Sequence, residues 1–146
     1  MTAGGIMEAN ITWKGGMAFE TSFDGFKIMI DGHESVGGTG QGPTPKGLTL
    51  VSLGGCTGMD VVSILKKMKV AYDDLNIRVE AELADEHPKK FTHITVYYEF
   101  NGSDLPVGKI NKAINLSEER YCGVSASLKP QVTIGHQLII NGEVVE

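Results

Sequence analysis

Two cysteines, Cys56 and Cys122, are the residues of this chain best suited to chemistry. A thiol reacts as its thiolate, and free backbone N–H groups at a helix start favour that anion. Cys56 follows Gly54-Gly55 and precedes Thr57-Gly58, so small residues surround it and let a substrate come close. A glycine pair bends or interrupts a helix. That predicts a new helical segment opening at Cys56, with N–H groups placed to hold a thiolate and then a developing oxyanion. The same local pattern also fits a buried structural cysteine at a helix kink, because a free cysteine is a small core hydrophobe. Cys122, within Tyr121-Cys122-Gly123-Val124-Ser125, is open to the same two readings. The cysteines are far apart in the chain, and spacing alone does not bring them together. If they meet, peroxide chemistry follows. One thiolate opens an O–O bond and becomes a sulfenic acid; the other thiol condenses with it to a disulfide, which a cellular reductant reopens.

Other chemistries find less support. His33, His87, His93 and His136 form no CxxC, HxxxH or C-x-x-H set, so neither a metal nor another cofactor is expected. His87 and His93 flank a turn. His33 sits in a glycine-rich loop from which it could approach the thiols. Gly37-Gly38-Thr39-Gly40-Gln41-Gly42 lacks the GK[ST] ending and the preceding strand of a phosphate loop. No serine-centred nucleophile elbow is present.

The elements that must position the cysteines are readable from pattern. Ala9–Trp13, Met17–Thr21 and Phe26–Ile30 read as short antiparallel strands, with turns at Lys14-Gly15-Gly16 and Asp24-Gly25. Gly32 to Gly42 reads as loop. Thr44 is a suitable N-cap, with Pro45 at the first helical position. Leu48, Val51 and Gly55 share one face of this helix, and Val61, Ile64, Leu65 and Met68 continue an inward stripe. Lys66, Lys67 and Lys69 suit its C-terminus. Leu75–Ala84 alternates as a strand with Leu75, Ile77, Val79 and Ala81 on one face, and Thr92–Phe100 returns as its hairpin partner. A second helix starts near Pro106, capped by Ser103 or Asp104. Ser117 offers another N-cap ahead of Cys122. Gln131–Val145 carries the last strands, turning at Asn141-Gly142. Strands in runs, without strict βαβ alternation, give an α+β class.

At 146 residues the chain has length for one domain, residues 1–146, with its own core. A hydrophobic share of 41% favours folding over disorder. A net charge of -5 argues against general nucleic-acid binding, which needs cations to neutralise phosphates. No apolar run approaches the ~20 residues of a membrane span. Met1 to Asn10 has no basic n-region and no apolar h-region. A cytoplasmic protein that engages neither nucleic acid nor membrane is expected.

Two segments then stand out together. One runs from Pro43-Thr44-Pro45 to Leu53-Gly54-Gly55-Cys56-Thr57-Gly58-Met59-Asp60-Val61-Val62-Ser63-Ile64-Leu65. The other is Leu116-Ser117-Glu118-Glu119-Arg120-Tyr121-Cys122-Gly123-Val124-Ser125-Ala126-Ser127-Leu128. Together they resemble the OsmC/Ohr family of osmotically inducible and organic-hydroperoxide-resistance proteins, in its YhfA-like branch. The resemblance implies antiparallel strands around central helices in an intertwined homodimer, with each active site at the dimer interface. It implies Cys56 as peroxidatic nucleophile and Cys122 as resolving thiol, organic hydroperoxides as substrates in oxidative-stress defence, and a thiol or dihydrolipoyl group as reductant.

The match has two departures. Family peroxidases place a glutamate ten residues before the nucleophile, where this chain has Lys46, and an arginine in an early strand or turn. The arginines here are Arg78 and Arg120, both later, and Lys14 is the nearest early cation. A lysine cannot reproduce a guanidinium fork. Two other readings therefore stand beside the peroxidase: a family member that binds a small apolar or acyl ligand in the dimer-interface pocket, and an assembly protein in which both cysteines are core residues.

Overall fold

A computed structural model describes residues 4–145 of the chain; the first three residues of the Met1–Asn10 segment lie outside it. Among the described residues, seven strands and three α-helices follow as three strands, one helix, two strands, two helices and two strands. The chain divides into two compact units, 1–49 and 50–146.

The first unit holds a three-stranded antiparallel meander: β1 (Asn10–Trp13), β2 (Phe19–Phe23) and β3 (Phe26–Ile30). Asp24 and Gly25 both have positive φ, the backbone a two-residue hairpin turn needs to match the strand twist. The glycine-rich loop that follows includes one 3₁₀ turn, Glu34–Val36. Buried Asp31 organises it: its carboxylate accepts hydrogen bonds from the N–H groups of Gly32, Thr39 and Gln41. Those from Gln41 and Thr39 lead in holding the carboxyl below its usual range.

Helix α1 (Pro45–Lys67) starts as the sequence predicts, with the Thr44 hydroxyl accepting from the Gly47 N–H at 3.3 Å. Gly54-Gly55 do not interrupt it. The helix runs unbroken through all 23 residues, so Cys56 lies mid-helix and has no free N–H groups of its own helix to draw on. The glycines serve packing instead. A Cβ on Gly54 would stand 3.0 Å from the Val79 side chain, and one on Gly58 3.3 Å from Ile77. Both seat α1 closely against the Asp74–Leu83 strand.

The second unit is built on a four-stranded sheet in the order β4-β5-β6-β7, comprising β4 (Asp74–Leu83), β5 (Phe91–Asn101), β6 (Thr133–Ile140) and β7 (Glu143–Val145). Its strand pairs are antiparallel except β5 with β6, which run parallel. A parallel pair needs a crossover, and α2 (Val107–Leu116) and α3 (Gly123–Leu128) supply it. Pro106, not Ser103 or Asp104, stands at the N-cap of α2, with no side-chain cap. The core lies between the sheet and the helices: Leu53, Val61 and Leu65 of α1, Ile94, Val96, Tyr98 and Phe100 of β5, Ile110 and Ile114 of α2, and Cys122.

One expectation about membranes needs correcting. By length and composition α1 is apolar enough to cross a bilayer. A core helix passes the same test, and α1 buries Leu53, Thr57, Val61 and Leu65 within its own unit.

Candidate functional site: a thiol pair with a carboxylate

Cys56 and Asp60 are four residues apart on α1 and so lie on one face, one turn apart. Cys122 arrives from the crossover. Between α2 and α3 the chain makes a π-helical turn, Ser117–Tyr121, closed by the Cys122 N–H donating to the Ser117 carbonyl at 2.8 Å. Such turns insert an extra residue and often sit at functional sites. Ser117 is therefore not a helix N-cap. The widened turn points it inward, fully buried, and delivers Cys122 in extended conformation as the N-cap of α3.

The two sulfurs and one Asp60 oxygen all lie within 4.8 Å of one another. Both thiols are free; Cys122 is buried and Cys56 half-buried. Each sulfur receives a backbone N–H: that of Ser125 reaches Cys122 Sγ at 3.4 Å, and that of Val124 is aimed at Cys56. A helix start does serve the thiols, but it belongs to α3. Burial pushes the Cys56 thiol up from its ordinary value of 9.0. The Val124 N–H works against that rise, while the neighbouring Cys122 and the Asp60 carboxylate add to it.

Behind the thiols runs a hydrogen-bonded chain. Ser117 Oγ donates to Asp60 Oδ2 at 2.9 Å and lies 3.0 Å from Thr57 Oγ1, which lies 2.6 Å from the Tyr98 hydroxyl. Burial is the main cause holding the Tyr98 phenol well above its usual range. Tyr98 also meets the His136 ring edge-on, with centroids 5.9 Å apart. His136 Nδ1 stands 2.6 Å from Glu118 Oε1, a pair that is ionic when the imidazole is protonated. Glu118 lies in the π turn, so this contact ties the turn to β6.

The sequence singled out Cys56 and Cys122, and the fold brings them together. It gave no role at the thiols to Asp60, Thr57, Tyr98, Glu118 or His136, and read Ser117 only as a helix cap. Only Asp60 had a usable signal, its i+4 spacing from Cys56. The others converge through tertiary structure. His33 is occupied locally, its Nδ1 accepting from the Ser35 N–H at 3.1 Å. His87 and His93 are exposed.

Comparison with known proteins places the chain in a family. Residues 38–137 match the model of the OsmC-like protein family. Protein YhfA of Escherichia coli K12 is 34% identical over 131 residues, covering 89% of this chain and 95% of its own. The chain belongs to the OsmC-like family. A hypothetical protein from Aquifex aeolicus superimposes with a TM-score of 0.80 at 27% identity, over 94% of this chain and 98% of its own. An organic hydroperoxide resistance protein OsmC from Legionella pneumophila shares the fold at TM-score 0.67 and 17% identity, over 93% and 99% of the two chains.

Within the family frame, Lys46 is exposed in the first turn of α1. Arg78 is committed elsewhere: it pairs with Glu99 at 3.1 Å and Glu80 at 3.2 Å on the exposed face of the sheet, over the Tyr97 ring. Arg120 lies against the Tyr121 ring. The ionisable side chain the structure adds at the thiols is Asp60.

Proposed function

We propose that the protein is a thiol-dependent peroxidase that reduces organic hydroperoxides, acting in the cytoplasm as a homodimer in oxidative-stress defence. The observation that carries this reading is the meeting of Cys56 and Cys122 within 4.8 Å, both thiols free. Cys56 is the nucleophile because it is the less buried of the two, on a helix face reachable from outside. Its thiolate attacks the distal oxygen of the hydroperoxide. The O–O bond breaks, Cys56 becomes a sulfenic acid, and the alkoxide leaves with a proton as the alcohol. Cys122 then attacks the sulfenic sulfur, water departs, and a disulfide joins the two residues. An external dithiol reopens it by exchange, becoming a disulfide itself.

Asp60 has a place in this sequence. Its carboxylate reaches the thiol directly or through one water, takes the thiol proton, and returns it to the leaving alkoxide. The Ser117 hydroxyl fixes one carboxylate oxygen, leaving the other for that work. Asp60 thus supplies a carboxylate where Lys46 does not.

The partner in this reading is a second copy of the chain. On α1 the apolar Val51, Met59 and Val62 are 67%, 76% and 42% exposed, the kind of continuous apolar face that association covers. The test is steady-state consumption of tert-butyl hydroperoxide with dihydrolipoamide as reductant. The wild-type chain turns over; Cys56→Ser does not; Cys122→Ser holds a sulfenic acid that dimedone traps. Unchanged turnover by Cys56→Ser ends the proposal.

One observation favours a second reading. A cavity of about 840 Å³ lies along α1 and β4, lined by Leu50, Val51, Met59, Val62, Ile77 and Val79 among others. Its size and apolar lining suit a small apolar or acyl ligand. Thermal stabilisation by a fatty acid that persists in the Cys56→Ser/Cys122→Ser double variant supports this reading against the first.

A further inference from the structure

The Cys56, Cys122 and Asp60 ligand atoms make a set larger than a disulfide alone requires. A disulfide needs two sulfurs. Here a carboxylate oxygen joins them, all three atoms within 4.8 Å of one another. We propose that the reduced protein binds one zinc ion through Cys56 Sγ, Cys122 Sγ and an Asp60 carboxylate oxygen, with a water in the fourth position.

Geometry supports this. In a tetrahedral zinc site with Zn–S about 2.3 Å and Zn–O about 2.0 Å, neighbouring ligand atoms stand about 3.5–3.8 Å apart. The present set therefore contracts by about 1.3 Å at most in closing on the ion. Three protein ligands and one open position is the pattern of zinc sites that exchange a ligand. The outer groups that such sites need are already in place. Ser125 and Val124 each aim a backbone N–H at a sulfur, and the Ser117 hydroxyl orients the carboxylate at 2.9 Å. Partners of that kind orient ligands and tune affinity.

Ligand chemistry narrows the ion. Two thiolates select a borderline or soft cation over Mg²⁺ or Ca²⁺, and a carboxylate as third ligand favours Zn²⁺ over Cu⁺. Charge points the same way: two thiolates and a carboxylate gathered within 4.8 Å of one another are three like charges that repel. A divalent cation offsets that repulsion. Binding releases two thiol protons and leaves a net charge of minus one on the zinc, two thiolates and carboxylate. No electrons move. The bound ion ties up both sulfurs, so zinc and hydroperoxide compete for the reduced pair, and oxidation to the disulfide releases zinc. The inference needs only the ligand atoms and stands apart from the peroxidase reading.

Spacing gave no hint of it, because the ligands come from a helix and a remote crossover rather than a CxxC or HxxxH motif.

The experiment is titration of the reduced full-length protein with Co²⁺ as a spectroscopic stand-in, followed by Zn²⁺ displacement. One equivalent of Co²⁺ is expected to raise a thiolate-to-cobalt charge-transfer band in the near ultraviolet. Zn²⁺ then bleaches it and slows alkylation of both cysteines. Cys56→Ser and Cys122→Ser should each lose most of the band, and Asp60→Asn should weaken binding by about tenfold or more. Wild-type protein oxidised with diamide keeps its sequence but should show no band, a control independent of variant folding. No thiolate band in the reduced wild type overturns the proposal. So does a band that Asp60→Asn leaves at full affinity, or metal held equally by the oxidised protein, which marks adventitious histidine binding.

Discussion

Cys56 sits where a nucleophile is hard to ionise and well positioned. Burial raises its thiol, Cys122 and Asp60 raise it further, and the Val124 N–H works to lower it. An acid group pushed above 9.0 is almost wholly protonated at neutral pH. Its thiolate fraction then grows about tenfold per pH unit. Alkylation of Cys56 by iodoacetamide, measured by peptide mass spectrometry, should therefore climb steadily between pH 6 and pH 9, with no plateau near neutrality. A plateau by pH 7 would show a cationic partner that the site does not display. Asp60→Asn removes one influence that opposes the thiolate, so the same experiment should show faster alkylation in that variant. Its hydroperoxide turnover should nonetheless fall, because the proton acceptor is gone. That opposed pair of effects separates a proton carrier from a group that merely repels the thiolate. The buried hydroxyls behind the site bear on stability. Thr57→Val leaves Tyr98 and Ser117 each short of a partner. It should cost about 1–3 kcal/mol in urea unfolding, and a neutral result would mean the chain of hydroxyls is not closed.

At the scale of elements, α1 is the clearest case of a sequence feature read correctly and explained wrongly. Its start at Thr44-Pro45, its inward stripe and its lysine-rich end are all visible in the pattern. Gly54-Gly55 looked like a break because propensity is a local rule. Packing overrides it: Gly54 and Gly58 are small because β4 lies against them. Gly54→Ala should consequently destabilise by about 1 kcal/mol or more, since its Cβ would meet Val79. Gly108→Ala in α2, where a Cβ meets nothing within 4 Å, should stabilise by about 0.5–1 kcal/mol. Thermal or urea unfolding of the two variants checks the contrast, and equal shifts would refute the packing account. The strands of the second sheet were legible from alternation along Leu75–Ala81 and Thr92–Phe100. The parallel pairing of β5 and β6 was not, because pattern reports which face is buried and not which neighbour lies alongside. The π turn was equally hidden. Ser117 followed by Glu118 and Glu119 has the composition of a helix start, and only the i→i+5 bond to Cys122 shows the helix widening instead.

For the molecule as a whole, family and fold agree over nearly the full chain, as the two cysteine segments already indicated. What those segments could not supply was the environment. Residues from α1, β5, the π turn and β6 meet behind the thiols, and no linear motif encodes that. The exposed apolar face of α1 should govern assembly. The wild-type chain should sediment as a dimer, and Met59→Glu with Val51→Glu should shift it to monomer; a wild-type monomer at micromolar concentration would remove the dimer from the account. The claim on which the rest depends is that Cys56 and Cys122 act as one couple. It is tested most directly by adding one equivalent of tert-butyl hydroperoxide to the reduced protein, digesting without reductant, and sequencing the linked peptides by mass spectrometry. The account predicts a Cys56–Cys122 disulfide within one chain as the main product. Recovery of Cys122 as a free thiol, with Cys56 untouched or oxidised to its sulfinic acid, would contradict it.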